Sequence, residues 1–101
     1  MNINISNETK YKNELINIIK KYLPDCKIYL FGSRARKEHR LNSDIDIAIN
    51  CNKKIEHIFL AQIRNDLDES NIPFLVDVVD FQTVALELQK NILAEGIIWK
   101  S

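Results

Sequence analysis

Glycine, proline and cysteine each occur only twice in these 101 residues, and a single tryptophan contributes to an aromatic content of 8%. Two cysteines, Cys26 and Cys51, are too few for a disulfide scaffold, and no CxxC or histidine spacing suggests a metal site. Free thiols in a reducing cytoplasm are the expectation. Antiparallel pairing of the two apolar segments that the cysteines flank would nonetheless bring them near each other. Charge of one sign is also missing, since 14 Lys+Arg balance 14 Asp+Glu. Without a global field to release counterions, the chain is not built to hold a long nucleic acid, and any such role needs a local basic patch. No apolar run approaches the roughly 18 residues of a membrane helix, and the opening MNINISNETKYKNE is polar. Internal repeats, low-complexity tracts and linkers are absent, which leaves one cytoplasmic domain spanning residues 1–101 as the expectation.

What is present is an ordinary globular composition, 46% apolar and 28% charged. A chain this short buries only about 60 to 65% of its unfolded surface, enough for one modest core and open to pairing with itself or with a larger partner. Tyr11, Leu15, Ile18, Ile19 and Tyr22 recur at three- and four-residue spacing and predict a helix over 7–22, capped by Ser6 and stopped by Pro24. Residues 27–31 read as a short apolar strand. Ile45, Ile47 and Ile49 alternate with Asp44, Asp46 and Ala48, the period of a strand with one buried and one open face. A second helix is expected over 54–68, with Ile55, Ile58, Phe59, Ile63 and Leu67 on one side. A third strand is expected over 74–79, then a helix over 83–95 ended by Gly96 in a left-handed cap, then an edge strand IIWK. Helices and strands alternating across short connections predict an α/β fold, a small mixed sheet with flanking helices.

Polar chemistry concentrates between Phe31 and Ile49, FGSRARKEHRLNSDIDIAI. Gly32 follows an apolar strand and precedes Ser33, where a residue without a Cβ lets the backbone turn sharply and approach a ligand. A short basic helix beginning near Ser33 would turn its unpaired N–H groups toward an anion, and phosphate is the natural guest.

Aspartate is depleted in strands, so Asp44 and Asp46 on one strand face need a reason. Residues i and i+2 lie about 6.5 to 7 Å apart, where two ionised carboxylates repel by about 2.5 kcal/mol at an effective dielectric near 20. A bridging cation removes that cost, and hard oxygen donors suit Mg²⁺ or Mn²⁺, which would also hold nucleotide phosphates. The plain alternative is a solvated Asn42-Ser43-Asp44 turn entering a strand. Two metal ions would call for a third carboxylate, from Asp77 or Asp80. If Phe74, Val76 and Val78 share the buried face with the isoleucines, Asp77 shares the open face with Asp44 and Asp46, and Asp80 points the other way or lies past the strand, as a cap or turn.

Gly32-Ser33-Arg34-Ala35-Arg36, then Ser43-Asp44-Ile45-Asp46, then Val76-Asp77-Val78-Val79-Asp80 resembles the minimal nucleotidyltransferases, small members of the DNA polymerase β superfamily, and the tail NILAEGIIWK extends the likeness. One departure is Lys37, where that family often has glycine after Ala-Arg. The resemblance implies a polymerase-β-like nucleotidyltransferase fold. It also implies a metal-dependent transfer of an NMP, AMP from ATP in the first instance, to a hydroxyl, with Mg²⁺ as cofactor. Asp44, Asp46 and Asp77 would be the catalytic and metal-holding residues. Gly32, Ser33, Arg34 and Ser43 would bind the nucleotide, with Arg34 and Arg36 neutralising phosphate charge. Small members of this kind are similar to antitoxins paired with a HEPN-domain toxin, some of which transfer AMP to a tyrosine of that toxin. The competing readings are a non-catalytic binding module that neutralises its partner by contact, and transfer to an RNA end or a small molecule. His39 and His57 read as incidental, and Tyr22, Tyr29 and Trp99 as core or partner-surface residues.

Overall fold

Alternating isoleucines make β2 (Ile45–Asn50) the centre of the sheet: Ile45, Ile47 and Ile49 are fully buried on one face. The computed structural model describes residues 7–36 and 44–101. β1 (Lys27–Phe31) runs antiparallel to β2, with Lys27 opposite Asn50 and Phe31 opposite Asp46. β3 (Val76–Asp80) runs parallel to β2 on its other side, and β4 (Ile97–Lys100) pairs antiparallel with β1, giving a four-stranded mixed sheet of order β3-β2-β1-β4.

Two helices cover the isoleucine face. Leu15 and Ile19 of α1 (Asn7–Lys20) and Leu60, Ile63 and Leu67 of α2 (His57–Asp68) join Ile28, Leu30 and Val78 in the main core. Side chains also tie the two helices together, since Tyr22 donates its hydroxyl to Asp66 at 2.7 Å and Lys21 its ammonium at 3.0 Å. Those two hydrogen bonds, the tyrosine's first, hold the Asp66 carboxyl below its ordinary value.

The opposite face is only half open, a correction to the expected single buried face. α3 (Leu86–Glu95) packs there, and Ile92 forms a second small core with Tyr29, Ala48 and Phe81. Ala48 alternates with the isoleucines and is nevertheless fully buried, because a small side chain lets α3 approach the sheet.

Other differences have local causes. α1 ends at Lys20 and Leu23 closes onto the carbonyl of Ile19 at 2.9 Å, consistent with Pro24 turning the residue before it away from helix. α2 starts at His57, three residues later than expected, because the Ile55 N–H is taken by the Asp80 carboxylate at 2.8 Å. Ile58 lies off the buried stripe of Leu60, Ile63 and Leu67 and is 55% exposed. α3 starts at Leu86, since the preceding residues form a turn in which Thr83 donates to the Asp80 carbonyl at 3.0 Å. Gly96 has φ −69° and ψ 154°, extended rather than left-handed, and is needed there because a Cβ would collide with the carbonyl oxygen of Ile92. Ser6 lies outside the described residues.

The cysteines are paired, against expectation: Cys26 and Cys51 form a disulfide with Cα atoms 4.4 Å apart. The register explains it, because they are the next opposed positions beyond Lys27 and Asn50. The bond spans 25 residues of chain, including Gly32 and Asp46. In the oxidised protein, replacing both cysteines by serine is expected to lower unfolding stability in urea by about 3 to 4 kcal/mol, the loop-closure cost for that span. An unchanged midpoint would mean that the bond adds no constraint to the unfolded chain.

Candidate functional site

Asp46 and Asp77 face each other across the parallel pair β2–β3, one register position above Ile47 and Val78. Because Ile47 and Val78 belong to the main core, both carboxylates emerge on the opposite face. Asp77 is exposed and Asp46 half-buried. Asp44, just before β2, is exposed as well.

Gly32 completes the approach from β1. Its φ of +76° lies in the left-handed region, and a Cβ added there would run into the Oδ2 of Asp46. The carboxylate therefore rests directly over the glycine backbone. From Gly32 the chain makes a 3-10 turn, Gly32–Arg34, and the Arg36 N–H returns to the Gly32 carbonyl at 3.2 Å. This turn stands at the start of the expected short basic helix, whose continuation past Arg36 lies outside the described residues. Ser33 is half-buried within the turn.

Arg34, expected to neutralise phosphate charge, is a buried side chain. Its side chain is 1% exposed, and its guanidinium lies 4.8 Å from the ring centre of Phe74. Phe74 meets Tyr11 of α1 on an edge, with ring centres 6.1 Å apart. Arg34 thus holds its guanidinium against the Phe74 ring, and its charge acts on Asp46 from within the fold rather than from the surface. Nothing in the local sequence separates a buried arginine from a solvated one, and only the proximity of Phe74 decides it.

The electrostatics are those of crowded negative charge. Burial raises the Asp46 carboxyl above its ordinary value, Asp77 and Asp44 push it further, and Arg34 and Arg36 pull it back without cancelling the rise. Oxygen donors with uncompensated charge suit a hard divalent cation. Among the described residues, however, no three histidine, cysteine, aspartate or glutamate side chains lie close enough to form a ready metal cluster. Asp46 and Asp77 share a register position across β2 and β3, and Asp44, two residues before Asp46, acts on the Asp46 carboxyl by its charge as well.

Asp80 is removed from this group. It sits opposite Ile49 on the main-core side, 4% exposed, and accepts the N–H groups of Ile55 at 2.8 Å and Gln82 at 3.0 Å. Ser43, Lys37, His39 and Arg40 lie outside the described residues. His57 is exposed at the start of α2, while Tyr29 is buried in the second core.

Residues 13–101 match the family described as Polymerase beta, Nucleotidyltransferase. The chain belongs to that nucleotidyltransferase family. Among its relatives, a protein adenylyltransferase MntA from Shewanella oneidensis is 29% identical over 86 residues, 84% of this chain and 61% of the relative. A probable protein adenylyltransferase MntA from Haemophilus influenzae is 27% identical over 75 residues, 74% of this chain and 66% of the relative. The nucleotidyltransferase chain thus spans less than two thirds of the length of either curated relative it matches. A crystal structure of a toxin–antitoxin with AMP-PNP superposes with a TM-score of 0.74 at 27% identity, covering 87% of this chain and 71% of the other. The fold is the polymerase-β-like nucleotidyltransferase fold, which among the described residues is a four-stranded mixed sheet with three flanking helices.

Proposed function

We propose that this nucleotidyltransferase transfers AMP from ATP to a hydroxyl on a partner protein, and that it acts in the cytoplasm as the antitoxin of a HEPN-domain toxin, modifying a tyrosine of that toxin. The observation that carries the reading is the pairing of Asp46 with Asp77 in register, with Gly32 tucked beneath the Asp46 carboxylate. The relatives named as protein adenylyltransferases, and the AMP-PNP bound in the similar toxin–antitoxin, support the choice of nucleotide and of a protein acceptor.

Asp44, Asp46 and Asp77 would hold Mg²⁺, with Mn²⁺ as a substitute. When bound, the cation supplies positive charge that offsets the triphosphate and the charge developing in the transition state. Backbone N–H groups at Gly32 and Ser33, with Ser43 and the Ser33 hydroxyl, orient the phosphates. Arg34 contributes its charge from within, and Arg36 its charge from the surface. Asp77, the more exposed carboxylate, orients the acceptor hydroxyl and takes up its proton. The hydroxyl oxygen bonds to the α-phosphorus as the bond to the β-phosphate oxygen breaks, releasing pyrophosphate. Leu86 and Leu93 on α3 and Ile98 on β4 are exposed apolar side chains of the kind that a protein partner would cover.

The test is label transfer from α-³²P-ATP with Mg²⁺ in the presence of a co-expressed HEPN partner, comparing wild type with Asp46→Asn. Label on one tyrosine of the partner, present only with wild type, is the expected result. A partner inhibited equally by both proteins, with no label, would instead assign the work to binding alone.

A further inference from the structure

A hollow of about 120 Å³ opens between β1 and α3, directly beside Gly32. Its floor is apolar, made by Phe31, Leu88 and Ile92, and its mouth carries Asn91, Glu95 and Arg36. Phe31 stands opposite Asp46 in the β1–β2 register, so the floor continues the row of the sheet that bears the carboxylate pair. Arg36 belongs to both places, because it lines the hollow and its charge acts on Asp46.

The composition of α3 is informative here. Leu88, Asn91, Ile92 and Glu95 follow i, i+3, i+4, i+7, which is one stripe of a helix. Ile92 on that stripe is fully buried against Tyr29 and Ala48, yet Asn91 and Glu95 beside it are exposed. The sheet-facing stripe thus overruns the sheet's cover, and its last turn presents two polar groups above an apolar floor. A flat ring with a polar edge fits that combination: apolar faces for Phe31 and Leu88, stacking for the Arg36 guanidinium, and hydrogen bonds along the rim.

We infer that this hollow receives the adenine of the nucleotide, with Glu95 accepting from its 6-amino group and Asn91 bonding to the adjoining ring edge. The inference rests on the reading that Gly32 and the carboxylate pair hold a nucleoside triphosphate. It adds the base-selecting residues, on an element outside the motif segment. An ionised carboxylate can only accept hydrogen bonds, so a base with an oxygen at position 6 meets acceptor with acceptor. ITP differs from ATP at that position and at the adjoining ring nitrogen.

The experiment is equilibrium binding of ATP, ITP and GTP with Mg²⁺, without acceptor, to the wild-type chain and to Glu95→Gln, with inorganic tripolyphosphate as a base-free probe. The expected result is an ATP preference over ITP of about 10- to 100-fold in wild type, the worth of one charged hydrogen bond. That preference should shrink to within about threefold in Glu95→Gln, whose amide can donate or accept, while tripolyphosphate binding stays the same. Equal binding of ATP and ITP by wild type, an unchanged preference in the variant, or GTP binding as tightly as ATP would overturn the adenine pocket and leave the triphosphate site standing. Failure of tripolyphosphate and all three nucleotides to bind would remove the underlying reading and this inference together.

Discussion

Asp46→Asn is expected to cut nucleotidyl transfer by about 10²- to 10³-fold, the effect of removing a group that organises charge at a reacting centre, while its melting temperature stays equal to wild type or rises. The two halves of that outcome have one cause. Asp46 is half-buried, and burial followed by Asp77 and Asp44 disfavours its ionised form. The ionised form of that carboxylate works against the fold rather than for it. Asparagine keeps the shape and removes the repulsion, so the fold gains or is indifferent while the donor of a hard cation is lost. Asp77→Asn should follow the same pattern. Asp80→Asn should not, because both oxygens of Asp80 accept buried or half-buried N–H groups, from Ile55 and Gln82. That variant is expected to lose about 1 to 3 kcal/mol of stability and to keep its transfer rate at temperatures where it remains folded. Thermal melts and label transfer, run side by side, check all three. An active Asp46→Asn protein would remove the catalytic model, and an Asp80→Asn protein that is inactive but as stable as wild type would move the third catalytic carboxylate to Asp80.

Gly32→Ala is expected to fail in both assays. The position has φ +76°, which costs an L-residue about 1 to 2 kcal/mol. In a domain of this size that corresponds to a fall in melting temperature of roughly 4 to 16 °C. The second effect is steric and local. An alanine Cβ would strike the Asp46 Oδ2, and the carboxylate is the movable partner. Relief of the clash swings Asp46 away from Asp77 and from the turn, so the surviving folded fraction should transfer poorly even when assayed well below its melting point. A melting temperature within about 2 °C of wild type, together with full activity, would show that the glycine is dispensable and that the carboxylate has room to spare.

The motif segment was legible because its signals are local. A glycine followed by serine at the end of an apolar strand, and a strand with aspartates at every second position, each carry a physical meaning within a few residues. Side-chain parity along Val76–Asp80 then places Asp77 with Asp46 and Asp80 with the core, as the β2–β3 register has them. Helix starts were less legible. α2 and α3 both begin about three residues late because hydrogen bonds in the preceding segments go to Asp80, a residue distant from α2 in sequence. The Cys26–Cys51 bond was visible as a geometric consequence of antiparallel pairing, but the general expectation of free thiols in a reducing compartment pointed the other way.

The sequence by itself determined the element order, the isoleucine face of β2 and the identity of the crowded carboxylates, since periodicity and residue type are properties of short windows. Only the tertiary structure decided that Arg34 is buried against Phe74, that α3 closes half of the expected open face over Ala48, and that Asn91 and Glu95 overhang the hollow beside Gly32. Each of those depends on a contact between segments dozens of residues apart, and the energy of such a contact is set by packing, which no window of the sequence contains.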